Sequence, residues 1–206
     1  MKKRLLLLGG GGHCRSCIDT IEAQNVYEIF GIVQPKNDGV NEVLDYPVVG
    51  CDADLPALLS ETSAAIITVG QIKTPDIRIR LFNLLKSYKA ELPVVKSPFS
   101  YCSRRAVVGE GTVLLHGSLV NSNAEIGANC IINSMALVEH DVKIANHCHI
   151  ATGARVNGGV SIGQGSFLGS GCVIREGVRI GERTVIAAGE IVLQDIPAGS
   201  VVRSRT

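Results

Sequence analysis

Every sixth residue from Val108 to Val192 is aliphatic. The series is Val108, Leu114, Val120, Ile126, Ile132, Val138, Ile144, Ile150, Val156, Ile162, Leu168, Ile174, Ile180, Ile186, Val192, fifteen positions in unbroken register. Four residues after each of the first thirteen comes a small or β-branched one, from Thr112, Ser118, Ala124 and Cys130 through to Thr184. A period of six matches neither an α-helix at 3.6 nor a single strand at 2. It matches a short strand followed by a turn. The small residue and the next aliphatic lie two apart and point inward, and the residue between them points out. The turn positions carry Gly or Asn at 111, 117, 123, 129, 153, 159, 165, 171 and 177, residues that tolerate a tight corner. Units of this kind stack into a solenoid, each burying its aliphatic against its neighbours. Each buried Val, Ile or Leu contributes roughly 1.5–3 kcal/mol.

The unit resembles the hexapeptide repeat of left-handed parallel β-helices. In that family three units make one triangular coil, which implies five coils here. Most members are acyltransferases and most are trimers.

Ahead of the repeat the pattern changes. Lys3–Leu8 is an apolar run that ends in Gly9-Gly10-Gly11-Gly12-His13. Residues 14–24 suit a helix, Tyr27–Val33 and 64–69 suit strands, and 76–88 carries Ile77, Leu81, Leu84, Leu85 and Tyr88 at helical spacing. Strand, glycine loop, helix, strand predicts a small Rossmann-like βαβ parallel sheet. The backbone N–H groups of such a loop, at a helix N-terminus, suit a phosphate. Cys14 stands where a dinucleotide fingerprint has its third glycine, so a mononucleotide or sugar nucleotide fits better; a plain tight turn is the alternative. Residues 93–105, with two prolines, read as the link into the β-helix. The expected organisation is therefore a nucleotide-sugar-binding α/β domain over 1–96 and a left-handed β-helix catalytic domain over 97–206.

Composition narrows the function. The net charge is +1 with no basic run, there is no Trp, and aromatics are 4%, which excludes the usual nucleic-acid signatures. The longest apolar run, Leu5–Leu8, is too short for a membrane span, and a cytoplasmic location is expected. Of the seven cysteines, Cys130, Cys148 and Cys172 occupy the small inward position and read as core. Cys14 and Cys17 form a lone C-x-x-C, and no metal site is expected.

The repeat also assigns directions to histidines. His116, His140 and His147 fall at corners, and His149, between inward Cys148 and Ile150, points out of a prism face. His140 lies in Glu139-His140-Asp141, and a carboxylate bonded to one imidazole nitrogen raises basicity at the other. An unperturbed histidine titrates near ~6.5, suited to taking a proton from an amine or hydroxyl.

Glycine loop ending in Gly-His, short βαβ domain, then a β-helix with N-x-x-x-x-V-E-H-D from Asn133 and a second histidine nine residues on: this resembles the sialic acid O-acetyltransferase and UDP-4-amino-sugar N-acetyltransferase family. The likeness covers nearly the whole chain and is most specific from Asn133 to Gly159. It implies an acetyl-CoA-dependent enzyme of surface glycan synthesis, with a nucleotide-sugar substrate, and a homotrimer with active sites at subunit interfaces. His140 would be the general base and Asp141 its orienting carboxylate. His149 would bond the thioester carbonyl of acetyl-CoA, and Gly158 would offer a backbone N–H along the pantetheine. Gly9, Gly11, Gly12, His13 and Gly70 would line the nucleotide-sugar site. Transfer is direct, because Cys148 should point inward.

Three departures from the family pattern stand out. Val33-Gln34-Pro35 replaces acidic residues, Gly70-Gln71 replaces Gly-Asn, and after Pro197–Val202 the chain reads Arg203-Ser204-Arg205-Thr206 without G-x-P-A. Arg175, Arg179 and Arg183 are candidates for the CoA phosphates, with surface charge as the alternative. An O-acetyltransferase acting on a sialic acid-like sugar uses the same residues. A zinc enzyme of the carbonic anhydrase type needs a histidine pair five apart, which 116, 140, 147 and 149 do not offer. A non-catalytic scaffold leaves the E-H-D cluster without a role.

Overall fold

The computed structural model describes residues 2–36, 39, 41–62 and 64–203. Ser204, Arg205 and Thr206, and with them the reading of that tail, lie outside the described residues. The chain begins with β1 (Lys3–Leu8), α1 (Gly12–Gln24) and β2 (Tyr27–Val33). A hairpin of β3 (Glu42–Val43) and β4 (Tyr46–Gly50) follows, then α2 (Leu55–Thr62), β5 (Ala64–Ile67) and α3 (Asp76–Ser87). The sheet order is β3-β4-β2-β1-β5, parallel except for β3. The βαβ expectation holds, and α1 starts two residues before the helix read from the sequence. The hairpin and α2 lack a clear periodic signal and were not anticipated.

From Val95 onward two-residue strands stack into three parallel sheets, the faces of a left-handed parallel β-helix. The first face runs from Tyr101–Cys102 to Ile191–Val192, the second from Val107–Val108 to Arg179–Ile180, and the third from Val95–Lys96 to Val201–Val202. Every strand pairs in register with the one three units on, Leu119 with Leu137 and Val120 with Val138. All members of the aliphatic series after Val108, and all of the small series, are buried. Stacked strands extend past the aliphatic run at both ends, so residues 93–105 contain the first coil as well as a link. At an end coil the inward position has a neighbour on one side only, which explains why Lys96 and Cys102 are accepted there.

From 111 to 189 every unit places a left-handed residue at its corner. Gly or Asn supplies it at most corners, but Met135, Asp141, His147 and Arg183 also adopt positive φ. The corner 133–136 joins the third face to the first, 139–142 the first to the second, and 145–148 the second to the third.

The α/β unit sits on the third face. Val95, Val113, Leu115 and Ile131 share one apolar cluster with Leu5, Leu7, Cys14 and Ile18. Ion pairs and hydrogen bonds tie its edges: Lys86 to Glu110 at 2.7 Å, Arg183 to Asp76 at 2.9 Å and His116 to Asp19 at 2.7 Å. The outer side of the second face is mainly polar, with Glu125, Lys143, Ser161 and Arg179. The first face is different, presenting Tyr101, Leu119, Leu137, Arg155, Val173 and Ile191.

Truncating Ile150, fully buried between coils, leaves a cavity that rigid neighbours cannot fill. Ile150→Ala is expected to lose about 2–5 kcal/mol in urea unfolding, while Val107→Ala, 65% exposed, stays within about 0.5 kcal/mol. Equal losses would contradict the inward assignment.

Candidate functional site

A cavity of about 770 Å³ opens between the ends of β1, β2 and β5 and the β-helix. Its floor is the glycine loop. Gly9 takes φ +112° and a Cβ there would collide with Val69; at Gly10 it would collide with the side chain of Gln34. Gly11 and Gly12 face open space. Gly11 caps α1 without a side chain, and no acidic residue occupies the first turn. The opening amides of α1 therefore point toward the cavity with the positive end of the helix dipole, as an anion requires.

Gly9, Gly11, Gly12, His13 and Gly70 all line this cavity. So does His149. It points out of the prism as its register requires, yet it is only 7% exposed because the α/β unit covers that face. Its Nδ1 donates to the Gln71 carbonyl at 2.6 Å, and Asn133 Nδ2 donates to its Nε2 at 3.0 Å. The Asn133 amide is oriented in turn by Ser134 N donating to Oδ1 at 2.7 Å. This network leaves the proton on Nδ1. For His149 to bond a thioester carbonyl, the proton has to move to Nε2, the ring has to leave the Gln71 carbonyl, and Asn133 has to turn aside. The ring packs edge-on against Phe167 at 5.2 Å and lies 6.3 Å from the His13 ring.

Both imidazoles are held neutral. Burial, with help from Arg78 and His149, lowers His13 to about 3. Burial, aided by Arg78 and opposed by the bond to Gln71, lowers His149 to about 4. Cys14 and Cys17 are buried on the inner side of α1, and burial pushes Cys17 up to about 12, so neither is a ready thiolate. Among the described residues no group of three His, Cys, Asp or Glu side chains comes together to hold a metal.

His140 and Asp141 stand elsewhere, on the corner between the first and second faces. Asp141 takes φ 61°, and its Oδ2 accepts from His140 Nδ1 at 2.8 Å. That bond, with the nearby negative charges, raises His140 above the ordinary 6.5. Glu139 turns to Asn121 at 2.8 Å and leaves the ring to Asp141. Gly158, one coil on, lies against the ring: a Cβ there would come within 2.7 Å of His140 Cε1. His140 is exposed and absent from the cavity lining, whereas Asn133, Ser134 and Thr152 from the opposite corner of the first face belong to it.

Several cavity residues are not read from the sequence as site residues. Asp52 and Arg80 form a 2.7 Å ion pair at its margin, and Gln71 is fixed by Nε2 donating to Gly165 O and Ser166 O at 3.3 and 3.4 Å. Asn133 was visible only as the first letter of the N-x-x-x-x-V-E-H-D string. Arg175 and Arg179 are exposed, and Arg183 is paired with Asp76. A Ser97–His116–Asp19 chain, with contacts of 2.6 and 2.7 Å, has the order of a nucleophilic triad, but Ser97 is fully buried and the chain serves to clamp α1 to the β-helix.

Comparison with known proteins agrees with this architecture. The model of the PglD N-terminal domain matches residues 4–85, and the bacterial transferase hexapeptide model (six repeats) matches residues 159–189. A search of curated proteins finds no match. A histidine variant of perosamine N-acetyltransferase from Caulobacter crescentus, in complex with CoA and GDP-perosamine, is 31% identical with a TM-score of 0.90, over 96% of this chain and 91% of that one. The acetyltransferase domain of PglB from Neisseria gonorrhoeae FA1090, in complex with acetyl coenzyme A, is 27% identical with a TM-score of 0.90, over 98% and 96%. WeeI from Acinetobacter baumannii AYE, at 22% identity, a TM-score of 0.86 and 98% and 97% coverage, shares the fold. No helix among the described residues is long and apolar enough to cross a membrane.

The neutral histidines set an acid limit. Their pKa values are lowered in the folded state, so their contribution is full above about 6.5, where unfolded histidine is also neutral. Below it the unfolded chain takes up protons that the native site refuses. The urea midpoint is expected to fall between about pH 7 and about pH 5, and less steeply in a His13→Asn/His149→Asn double variant. An identical slope in both proteins would contradict the assignment.

Proposed function

Because the chain belongs to the family of NeuD- and PglD-like hexapeptide acyltransferases, we propose that it moves acetyl from acetyl-CoA to the amino group of a nucleotide-linked amino sugar, in surface glycan synthesis. The observation that carries this reading is the exposed His140–Asp141 pair pressed against Gly158, on the same coil as the cavity corner at Asn133. A solved relative bound to CoA and GDP-perosamine supports the two substrates.

In this reading the glycine loop and the start of α1 hold the diphosphate, and the sugar extends toward Asn133. His140 Nε2 takes the proton from the amino group as the nitrogen attacks the acetyl carbonyl. The N–C bond forms, the C–S bond breaks, and the proton passes to the CoA sulfur. Asp141 keeps Nε2 the basic nitrogen and stabilises the imidazolium. The Gly158 N–H lies along the pantetheine. His149 meets the thioester carbonyl after its proton shifts to Nε2. Cys148 is fully buried and takes no acyl group.

One protomer does not complete the site, since His140 and the cavity flank opposite edges of the first face. That face is the apolar one, with Tyr101 56% and Ile191 66% exposed. A threefold arrangement with this face toward the axis brings the His140 corner of one copy to the Asn133 corner of the next, at the same height. A homotrimer with sites between subunits follows from this reading.

General-base catalysis is worth roughly 10²–10⁴ in rate. His140→Ala should lower kcat by that range in a free-thiol assay with UDP-, GDP- and CMP-linked amino sugars. Asp141→Asn should move the acidic limb of the kcat/KM profile to lower pH, because His140 must be neutral and Asp141 raises its pKa. Near-wild-type kcat for His140→Ala rejects the base assignment, and turnover only with hydroxyl sugars makes the enzyme an O-acetyltransferase.

Mixing tests the shared site. Co-refolded His140→Ala and His13→Ala chains, each inactive alone, should regain a measurable part of wild-type activity through interfaces that unite an intact His140 with an intact cavity. No recovery, in mixtures verified as hetero-oligomers, rejects it.

A further inference from the structure

Beneath the cavity lies a buried charge that the acetyl-transfer reading leaves unused. Arg78, on α3, is 1% exposed. Its Nη1 donates to Ile67 O at 3.1 Å and Val69 O at 2.6 Å. Its Nη2 donates to Asn129 O at 3.0 Å and Asn129 Oδ1 at 2.6 Å. Asn129 returns a bond from Nδ2 to Arg78 O at 3.2 Å. Nε is buried with no partner. None of these contacts is a carboxylate. The titratable groups that feel the guanidinium are His13 and Cys17 from α1, and Cys130, His147 and His149 from the β-helix; the three imidazoles are pushed toward the neutral form and Cys17 toward the thiol, while hydrogen bonds with Cys148 and the guanidinium itself draw Cys130 down. Burial lowers Arg78 only to about 10, so it stays charged at neutral pH.

An unpaired buried cation is costly unless something compensates it. Here it is fixed to the strand end that continues into Val69, Gly70 and Gln71, one wall of the cavity. We propose that Arg78 is a positioning residue of this site: it clips the Val69–Gln71 wall to the β-helix corner at Asn129, and its missing counter-charge is the diphosphate of the bound nucleotide. The inference rests on reading the cavity as a nucleotide-sugar site. It gives the glycine loop a partner: backbone dipoles contact the phosphates directly, and a full charge acts from behind the wall, screened little by salt.

The test is calorimetric titration of UDP, GDP, uridine and guanosine into the full-length wild type, Arg78→Met and Arg78→Lys. Arg78→Met should weaken both diphosphates about tenfold or more and the nucleosides less than about twofold. Arg78→Lys, which keeps the charge and loses the bidentate clip, should hold the diphosphates within about threefold. His13 and His149, relieved of the cation in Arg78→Met, should titrate at higher pH by NMR. Equal losses for diphosphate and nucleoside reduce Arg78 to scaffolding and overturn the proposal. So does a folded Arg78→Lys that loses diphosphate selectively, an arm that remains decisive if Arg78→Met does not fold. A wild type that binds none of the four ligands rejects the nucleotide reading itself, a different outcome from either.

Discussion

The constraint on which the rest depends is the register between coils. Each two-residue strand hydrogen-bonds in parallel to the strand three units away, and every corner from 111 to 189 closes with a left-handed residue. A one-residue slip would send every inward aliphatic out and every outer side chain in. The solenoid therefore tolerates almost no local adjustment, and side-chain direction becomes a property of position. Asp141 shows what this rigidity does for chemistry. Its φ of 61° is set by the corner, and that conformation holds the carboxylate on His140 Nδ1. The strain of a non-glycine residue at this corner is borne by a stack that cannot relax around it.

A second level of order comes from burying polar groups under the α/β unit. Arg78, His13, His147 and His149 share a region from which carboxylates are missing. Burial in such a place favours neutral imidazoles, and the nearby guanidinium reinforces the effect. The same step that removes water from the third face thus decides the protonation of the cavity. His140, exposed beside Asp141, is pushed the opposite way. Two histidines nine residues apart consequently differ in the direction of their shifts, His140 toward the charged form and His149 toward the neutral one.

Much of this was legible in the sequence. Period six assigned Cys148 inward, His140 to a corner and His149 outward, and each lies so. The glycine run marked the cavity floor. What escaped were features that depend on packing between the two halves of the chain. Outward position suggested exposure for His149, yet an outer face is exposed only until another unit covers it. Residues 93–105 read as a link because of two prolines and several polar residues, although strand pairing carries the coil that far and Cys102 packs against its core. Arg78 sits in an amphipathic helix among Ile77, Ile79 and Arg80, where nothing in the pattern separates a buried arginine from a solvated one. Asp52, Arg80 and Gln71 lie on turns or exposed helix faces, and no periodicity constrains such positions.

The same distinction separates the His140 corner from the cavity lining. His140, Asp141 and Gly158 sit on the repeat, where spacing in sequence is spacing in space. The groups bordering the cavity, Gln34, Pro35, Asp52 and Arg80, come from segments after strands and from α3, where no repeat fixes their direction. The separation is also physical. His140 and the cavity occupy opposite edges of one mainly apolar face, so the width of the prism lies between them within one chain. On the proposed reading activity would require association, because the face from Tyr101 to Ile191, interrupted by Arg155, would be both the surface that brings copies together and the span across which the two halves of the site meet.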